Sequence, residues 1–172
     1  MHEESKTLEH IWTPWRMKYI QNNSQKNDCI FCLAALAEDD AEQLVFYRGE
    51  HAFMILNRYP YTSGHVMCVP YAHKRQLHDL NQETRMEMME DVTRAVQVLQ
   101  QVYQPEGFNI GINLGKLAGA GVAEHLHIHI VPRWGGDTSF ISSIGQTRVL
   151  PEALDETYRR VKEAWEAQKA QD

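Results

Sequence analysis

The sequence predicts an α+β fold built around a mainly antiparallel, five-stranded sheet. Three observations lead there. Short apolar runs of strand length are separated by turn-forming glycines and prolines. The segment between the third and fourth runs carries a helical period of apolar residues. A second helical period closes the chain, so helices are added to a set of hairpins and do not alternate with every strand.

Residues 44–48 (LVFYR) and 52–57 (AFMILN) read as two strands around a turn at Gly49 and Glu50. The loop NRYPYTSGH at 57–65 is punctuated by Pro60, Ser63 and Gly64. HVMCVP at 65–70 reads as a strand ended by Pro70. Over 82–104, Met86, Met89, Val92, Val96, Leu99 and Tyr103 recur at helical spacings, with Asn81 as the N-cap and Pro105 as the stop. The charges from Glu83 to Glu90 read as the solvated side of this central helix. FNIGINL at 108–114 is the next strand, 115–121 a glycine-rich loop, and 125–131 the last strand. After Pro151 a C-terminal helix carries Leu154, Tyr158, Val161 and Trp165 on one face.

A chain of 172 residues and 19.9 kDa is the size of one domain with one core. Residues 1–9 read as a flexible N-terminus, 10–160 as the single domain, and 161–172 as the end of the last helix and a tail. The net charge of −6 argues against a nucleic-acid backbone as partner, yet leaves room for a small phosphate ligand held by local donors. No apolar run is long enough to span a bilayer, so no membrane partner is expected. The polar, acidic opening MHEESKTLEH is unlike a secretory signal, and with only three cysteines a cytoplasmic location is expected.

The chemistry concentrates in HLHIHIVP at 125–132. On a strand, successive side chains point to opposite faces, so His125, His127 and His129 share one face and Leu126, Ile128 and Ile130 the other. The apolar face can pack on the central helix. The histidine face is expected to open to a ligand, a metal or water. Imidazole serves as a metal ligand or as acid, base and nucleophile at neutral pH, and both readings stand here. Just upstream, NLGKLAGAG at 113–121 places Gly115, Gly119 and Gly121 where backbone N–H groups can approach anionic oxygens, although a plain hairpin connection also uses glycine.

Cys29 and Cys32 form C-x-x-C. A redox pair would call for a thioredoxin-like βαβ setting, which the polar stretch before NDCIFC does not offer. A pair of core cysteines and half of a structural zinc site are the other readings, the second needing two more ligands. His73 and His125 are available for that purpose. Cys68 lies in an apolar strand and reads as core packing.

HLHIHIV resembles the histidine triad pattern, His-φ-His-φ-His-φ-φ with φ apolar. ILNRYPYTSGHVMCVPYAH at 55–73 and FNIGINLG at 108–115 resemble the first half and the preceding strand of histidine triad (HIT) domains. WTPWRMKYI at 12–20, CIFC at 29–32 and PRWGGDTSF at 132–140 resemble the bacterial diadenosine tetraphosphate phosphorylase type, so that residues 10–160 are covered in all. The resemblance implies a HIT-like fold and a homodimer whose sheets join side by side. It also implies an enzyme that cleaves the phosphoanhydride of a purine nucleotide or dinucleoside polyphosphate at the α-phosphate. Rival readings are a HIT-type phosphoramidate or adenylyl hydrolase, a zinc metalloenzyme using the three histidines, and a non-catalytic nucleotide-binding module.

By motif position the resemblance makes His127 the nucleophile, His129 a donor to the phosphate, and His125 a residue that orients His127 or binds metal. The amides of Gly119, Ala120 and Gly121 would face the non-bridging oxygens, Asn113 the phosphates and Asn57 the ribose. Asn57 also suits a plain turn. Phe53 and Ile55 would contribute to an apolar base pocket. Cys29, Cys32, His73 and His125 fill the four positions that zinc-binding members use, which implies structural zinc and no organic cofactor. Trp12, Trp15 and Arg16 read as an anchor for an N-terminal arm, and Trp134 as lining an entrance or a dimer seam. Gly121 and Val122 stand where family members often carry Gln or Ser, which leaves phosphorolysis and hydrolysis both open.

Overall fold

The structure is a computed structural model that describes residues 29–137 and 150–169. The expectations for residues 1–9, Trp12, Trp15 and Arg16 lie outside the described residues. Five strands form one sheet: β1 (Val45–Arg48), β2 (Ala52–Leu56), β3 (Val66–Pro70), β4 (Gly107–Ile112) and β5 (Ile128–Arg133). Their order is β1-β2-β3-β5-β4, and every neighbouring pair is antiparallel as expected; β1-β2-β3 and β4-β5 are consecutive in the chain, whereas β3 pairs with β5 across the segment that holds α3 and β4.

Among the described residues four α-helices accompany the sheet: α1 (Ile30–Leu36), α2 (Asp40–Gln43), α3 (Gln82–Tyr103) and α4 (Leu154–Lys169). The two long ones follow the expected boundaries closely. Asn81 caps α3, its side chain accepting from the Thr84 N–H at 2.9 Å, and Gln104 ends it in the left-handed region ahead of Pro105. The two short ones had no periodic signal, because one or two turns cannot display a repeat. α2 is announced only by Asp39, which accepts from the Glu42 N–H at 3.0 Å, and its left-handed cap Leu44 moves the start of β1 to Val45.

The core lies between one sheet face and the helices. Met54, Leu56, Cys68, Ile128 and Ile130 meet Met88, Val92, Ala95 and Leu99 of α3, with Val161 and Trp165 of α4 closing one side. Cys68 is fully buried against Met88, as expected of a small core residue. The expected stripe on α3 needs correction. Met86 and Met89 are 60% and 56% exposed, and the buried face runs through Met88, Asp91, Val92 and Ala95. Two adjacent stripes fit the same spacing, and the sheet took the one lined by smaller residues. Glu87 likewise departs from the solvated reading. Its carboxylate accepts from the N–H groups of His51 and Ala52 at 2.9–3.1 Å and so clamps the β1–β2 turn. A Cβ at Gly49 would sit 2.2 Å from Glu87 Oε1, so a side chain there would push the carboxylate away from the turn it clamps.

Asp91 is buried on this face, and among the described residues its Oδ2 has no hydrogen-bond partner. Burial, with help from Glu87, pushes its carboxyl up to about 7. An acid whose folded-state pKa is raised holds its proton in the folded chain after the unfolded chain has lost it, so stability falls as pH rises from about 4 to about 7. Asp91→Asn is therefore expected to raise the melting temperature at pH ~8, by about 1–3 kcal/mol in stability, and to leave it unchanged near pH ~4. Thermal melts followed by circular dichroism at both pH values check this.

Candidate active site and candidate metal centre

β5 begins at Ile128, so His125 and His127 precede the strand and only His129 lies within it. The reason is local. The Leu126 N–H donates to Lys74 O at 2.7 Å, which ties this segment to the turn after β3 and not to a sheet neighbour. Alternation still holds across the junction, with Leu126, Ile128 and Ile130 buried towards the core. The expected open histidine face does not appear in the described chain. His125 and His127 are 1% and 5% exposed. Burial is tolerable because each ring has an N–H satisfied by a main-chain carbonyl.

Those two hydrogen bonds decide which nitrogen carries the proton. His125 Nε2 donates to Pro70 O at 2.8 Å, so its lone pair is on Nδ1. His127 Nδ1 donates to His125 O at 2.9 Å, so its lone pair is on Nε2. Burial also lowers both imidazolium pKa values, that of His125 to about 4, and keeps the rings neutral at pH ~7.

The Nδ1 of His125 lies 3.2 Å from Cys29 Sγ and 3.6 Å from Cys32 Sγ, and His73 Nδ1 lies 3.2 Å from Cys32 Sγ. The four donor atoms all fall within 4.8 Å of one another. Tetrahedral zinc with two sulfur and two nitrogen ligands calls for S···N separations of about 3.6 Å. The four side chains therefore fit a metal ion without rearrangement, and the donor set suits zinc. α1 makes this possible by presenting Cys29 and Cys32 one turn apart, while β3 and the following turn deliver His73. Burial and the neighbouring Cys29 raise the Cys32 thiol, an effect that a bound cation would override, since a coordinating thiol is deprotonated outright.

A fourth histidine stands beside His129. His65, 1% exposed, sits at the entrance to β3 with its Nε2 3.0 Å from His129 Nδ1. The Tyr61 N–H donates to His65 Nδ1 at 3.1 Å, and the Asn57 amide nitrogen lies 3.3 Å from the same atom. With its Nδ1 accepting, neutral His65 carries a proton on Nε2 and donates it to His129 Nδ1. Neutral His129 then carries its own proton on Nε2. The rings of His127 and His129 lie 4.8 Å apart, centroid to centroid, so one presents a lone pair beside a neighbour that presents a proton. Sequence reasoning passed over His65 because a lone histidine opening a strand has no spacing to mark it. The signal available was its place after Gly64 in the loop that also holds Asn57.

The remaining expected site residues fall as follows. Register puts Ile55 opposite Met67, Met67 opposite His129 and His129 opposite Gly111, so Ile55 and Phe53 share the face of His129. Both are buried. No atom lies within 4 Å of a Cβ placed at Gly111, which leaves room over His129. Asn113 follows Ile112, whose partner Ile128 is the residue after His127, so both Asn113 and His127 stand one residue beyond the last β4–β5 pair. Asn57 accepts from the Tyr59 N–H at 2.9 Å, so it is a turn residue as well as a neighbour of His65. In the glycine loop the amides of Gly119 and Ala120 donate to Lys116 O and Gly115 O, whereas the Gly121 amide makes no such bond among the described residues. Trp134 packs edge-on to Tyr103 at 6.5 Å.

The HIT domain family matches residues 38–136. The chain is 40% identical over 168 residues to a Mycobacterium tuberculosis protein named AP-4-A phosphorylase, covering 94% of this chain and 86% of that one. It resembles the crystal structure of a Zn-bound histidine triad family protein from Mycobacterium smegmatis with a TM-score of 0.67 and 31% identity, over 84% of this chain and 98% of that chain. A bis(5'-nucleosyl)-tetraphosphatase (asymmetrical) from Schizosaccharomyces pombe is 35% identical over 95 residues, which are 55% of this chain and 52% of that one.

Protein purified without chelator is expected to carry about one equivalent of metal per chain, and Cys29→Ser combined with Cys32→Ser to carry none. Elemental analysis by plasma mass spectrometry reads both.

Proposed function

The chain belongs to the HIT domain family, and we propose that it is a nucleotide phosphoanhydride-cleaving enzyme acting on diadenosine tetraphosphate or a close analogue through a nucleotidyl-histidine intermediate. The observation that carries this reading is the complementary pair of tautomers at His127 and His129, set by His125 O and His65. The relative named AP-4-A phosphorylase supports the substrate class.

In the first step the Nε2 lone pair of His127 attacks the α-phosphorus. A P–N bond forms, the P–O bond to the remaining phosphates breaks, and ATP leaves with that electron pair. His129 Nε2–H donates to a phosphoryl oxygen as charge builds there, with the Gly121 amide and Asn113 placed to assist. In the second step an oxygen of inorganic phosphate, or of water, displaces the histidine, breaking the P–N bond and releasing ADP or AMP. Gly121 and Val122 offer no polar side chain at this point of the loop, so phosphate and water are both acceptors to test. Phe53 and Ile55 supply the apolar surface for the base, and no organic cofactor is needed.

Cys29, Cys32, His73 and His125 would hold a zinc ion, whose contribution is a structural cross-link between α1, the turn after β3 and the triad segment. The three-histidine catalytic zinc site is the weaker reading. Among the described residues the metal-competent group takes in His125 and leaves out His127 and His129. We place the seam of a homodimer along β4, the outer strand, where Asn109, Ile110 and Gly111 are exposed and the outer edge can pair with a second copy. No helix among the described residues is long and apolar enough to cross a membrane, and a reducing cytoplasm suits three unpaired cysteines.

His127→Ala is expected to abolish turnover, by about a thousandfold or more, while nucleotide affinity stays within a few fold. Product analysis with and without inorganic phosphate distinguishes the acceptors. ATP and ADP formed only with phosphate support phosphorolysis, AMP formed without it supports hydrolysis, and undiminished turnover by His127→Ala contradicts the nucleophile.

A further inference from the structure

The two cysteines of the metal centre bracket Phe31. Phe31 is 3% exposed, and its ring meets both histidines of the segment: His125 edge-on at 5.4 Å and His127 at 4.9 Å with the planes tilted by 49°. It is thus the side chain by which α1 touches the ring of His127. α1 has only seven residues, and its cap Cys29 makes no side-chain capping hydrogen bond. So short a helix does not hold its own position in water, and external anchors must do so. The anchors available at its first turn are the two thiols, which reach His73 and His125.

The remaining restraint on His127 is the carbonyl of His125, and it traces back to the same centre. His125 spends Nε2 on Pro70 O, turns Nδ1 towards the two thiols, and offers its main-chain oxygen to His127 Nδ1. Both routes from the metal centre end on the His127 ring, one through a phenyl face and one through a carbonyl. The distance between a ligand and the ring is two residues in one route and one aromatic contact in the other.

We propose that Phe31 is a positioning residue for His127, held in register by metal ligation at Cys29 and Cys32, so that the metal centre governs the tautomer and orientation of the reacting ring without touching substrate. This rests on the proposed role of His127 as nucleophile. Losing the ligands would release the first turn of α1, while Arg48 keeps its hold on the carbonyls of Ala34, Ala35 and Ala37 at the other end, and would let Phe31 shift off the His127 ring, which could then rotate and exchange the Nδ1 proton for an Nε2 proton, removing the lone pair from the substrate side.

The test uses full-length protein labelled with nitrogen-15 on histidine, at fixed neutral pH, with His127→Gln to assign the ring signals. Three samples are compared: zinc-loaded wild type, chelator-treated wild type, and zinc-loaded Phe31→Leu, which keeps apolar volume but loses the ring face. Zinc-loaded wild type is expected to show a single Nδ1–H tautomer. The other two are expected to show exchange between tautomers, with kcat down about tenfold and KM little changed, the usual scale for loss of a supporting group around a metal site. If chelation unfolds the protein, the zinc-loaded Phe31→Leu sample decides alone. An unchanged single tautomer in Phe31→Leu overturns the proposal, whether or not kcat falls, because a merely structural loss would leave the ring state alone. Exchange between tautomers with unaltered kcat also overturns it. The ring signals report on His127 regardless of turnover, so a failed nucleophile assignment, seen as activity retained in His127→Ala, is told apart from a failed positioning role.

Discussion

The 2.9 Å hydrogen bond from His127 Nδ1 to the carbonyl of His125 is the constraint on which the site depends. Its net contribution to stability is about 1 kcal/mol, no more than any other. Its consequence is qualitative. A carbonyl oxygen can only accept, so the proton is held on Nδ1 and the lone pair is left on Nε2. A solvated imidazole divides its population between two tautomers and, near its pKa of about 6.5, a cation. Here burial removes the cation and the carbonyl selects one tautomer. The Nε2 lone pair of His127 is thereby fixed before any ligand arrives, as the proposed role of nucleophile requires.

The same logic is applied with opposite outcome next door. His65 donates to His129 Nδ1 and leaves the His129 proton on Nε2. Two neutral rings 4.8 Å apart thus take complementary roles, fixed by what stands behind each one. The backing groups come from different elements: the carbonyl of His125 from the segment before β5, and His65 with its Asn57 and Tyr61 neighbours from the β2–β3 loop. The antiparallel pairing of β3 with β5 brings these together, since Met67 lies opposite His129 and His65 precedes Val66 by one residue. The sheet is the rigid element, and the chemistry sits on its rim and on the turn leading into it.

Much of this was legible in the chain itself. The antiparallel sheet follows from sequential strands and turns, although the crossover that sets β5 between β3 and β4 has no local signal, the boundaries of α3 and α4 follow from period, cap and proline, and the metal-competent group from a C-x-x-C pair and two histidines whose positions resemble a known pattern. Four features were not legible, each for a physical reason. α1 is too short for its periodicity to show, so Phe31 went unnoticed between two cysteines. His125 and His127 leave the strand because Leu126 bonds to Lys74 O, a tertiary contact that no local pattern encodes. Met86 and Met89 lost to Met88 and Asp91 because an amphipathic pattern admits neighbouring stripes, and packing against the sheet chooses between them. His65 shows the limit most clearly: its role exists only through the ring opposite it.

These observations converge on a ring held neutral with its lone pair on Nε2, and the proposed function has that lone pair attack phosphorus. The most direct measurement is a rapid acid- or denaturant-free quench of a single turnover with a dinucleoside polyphosphate, followed by peptide mapping in the mass spectrometer under conditions that spare phosphoramidates. A nucleotidyl group attached to His127, appearing and decaying at the rate of turnover, is the result expected. A nucleotidyl group on any other residue, or turnover at full rate with His127 never modified, would contradict it.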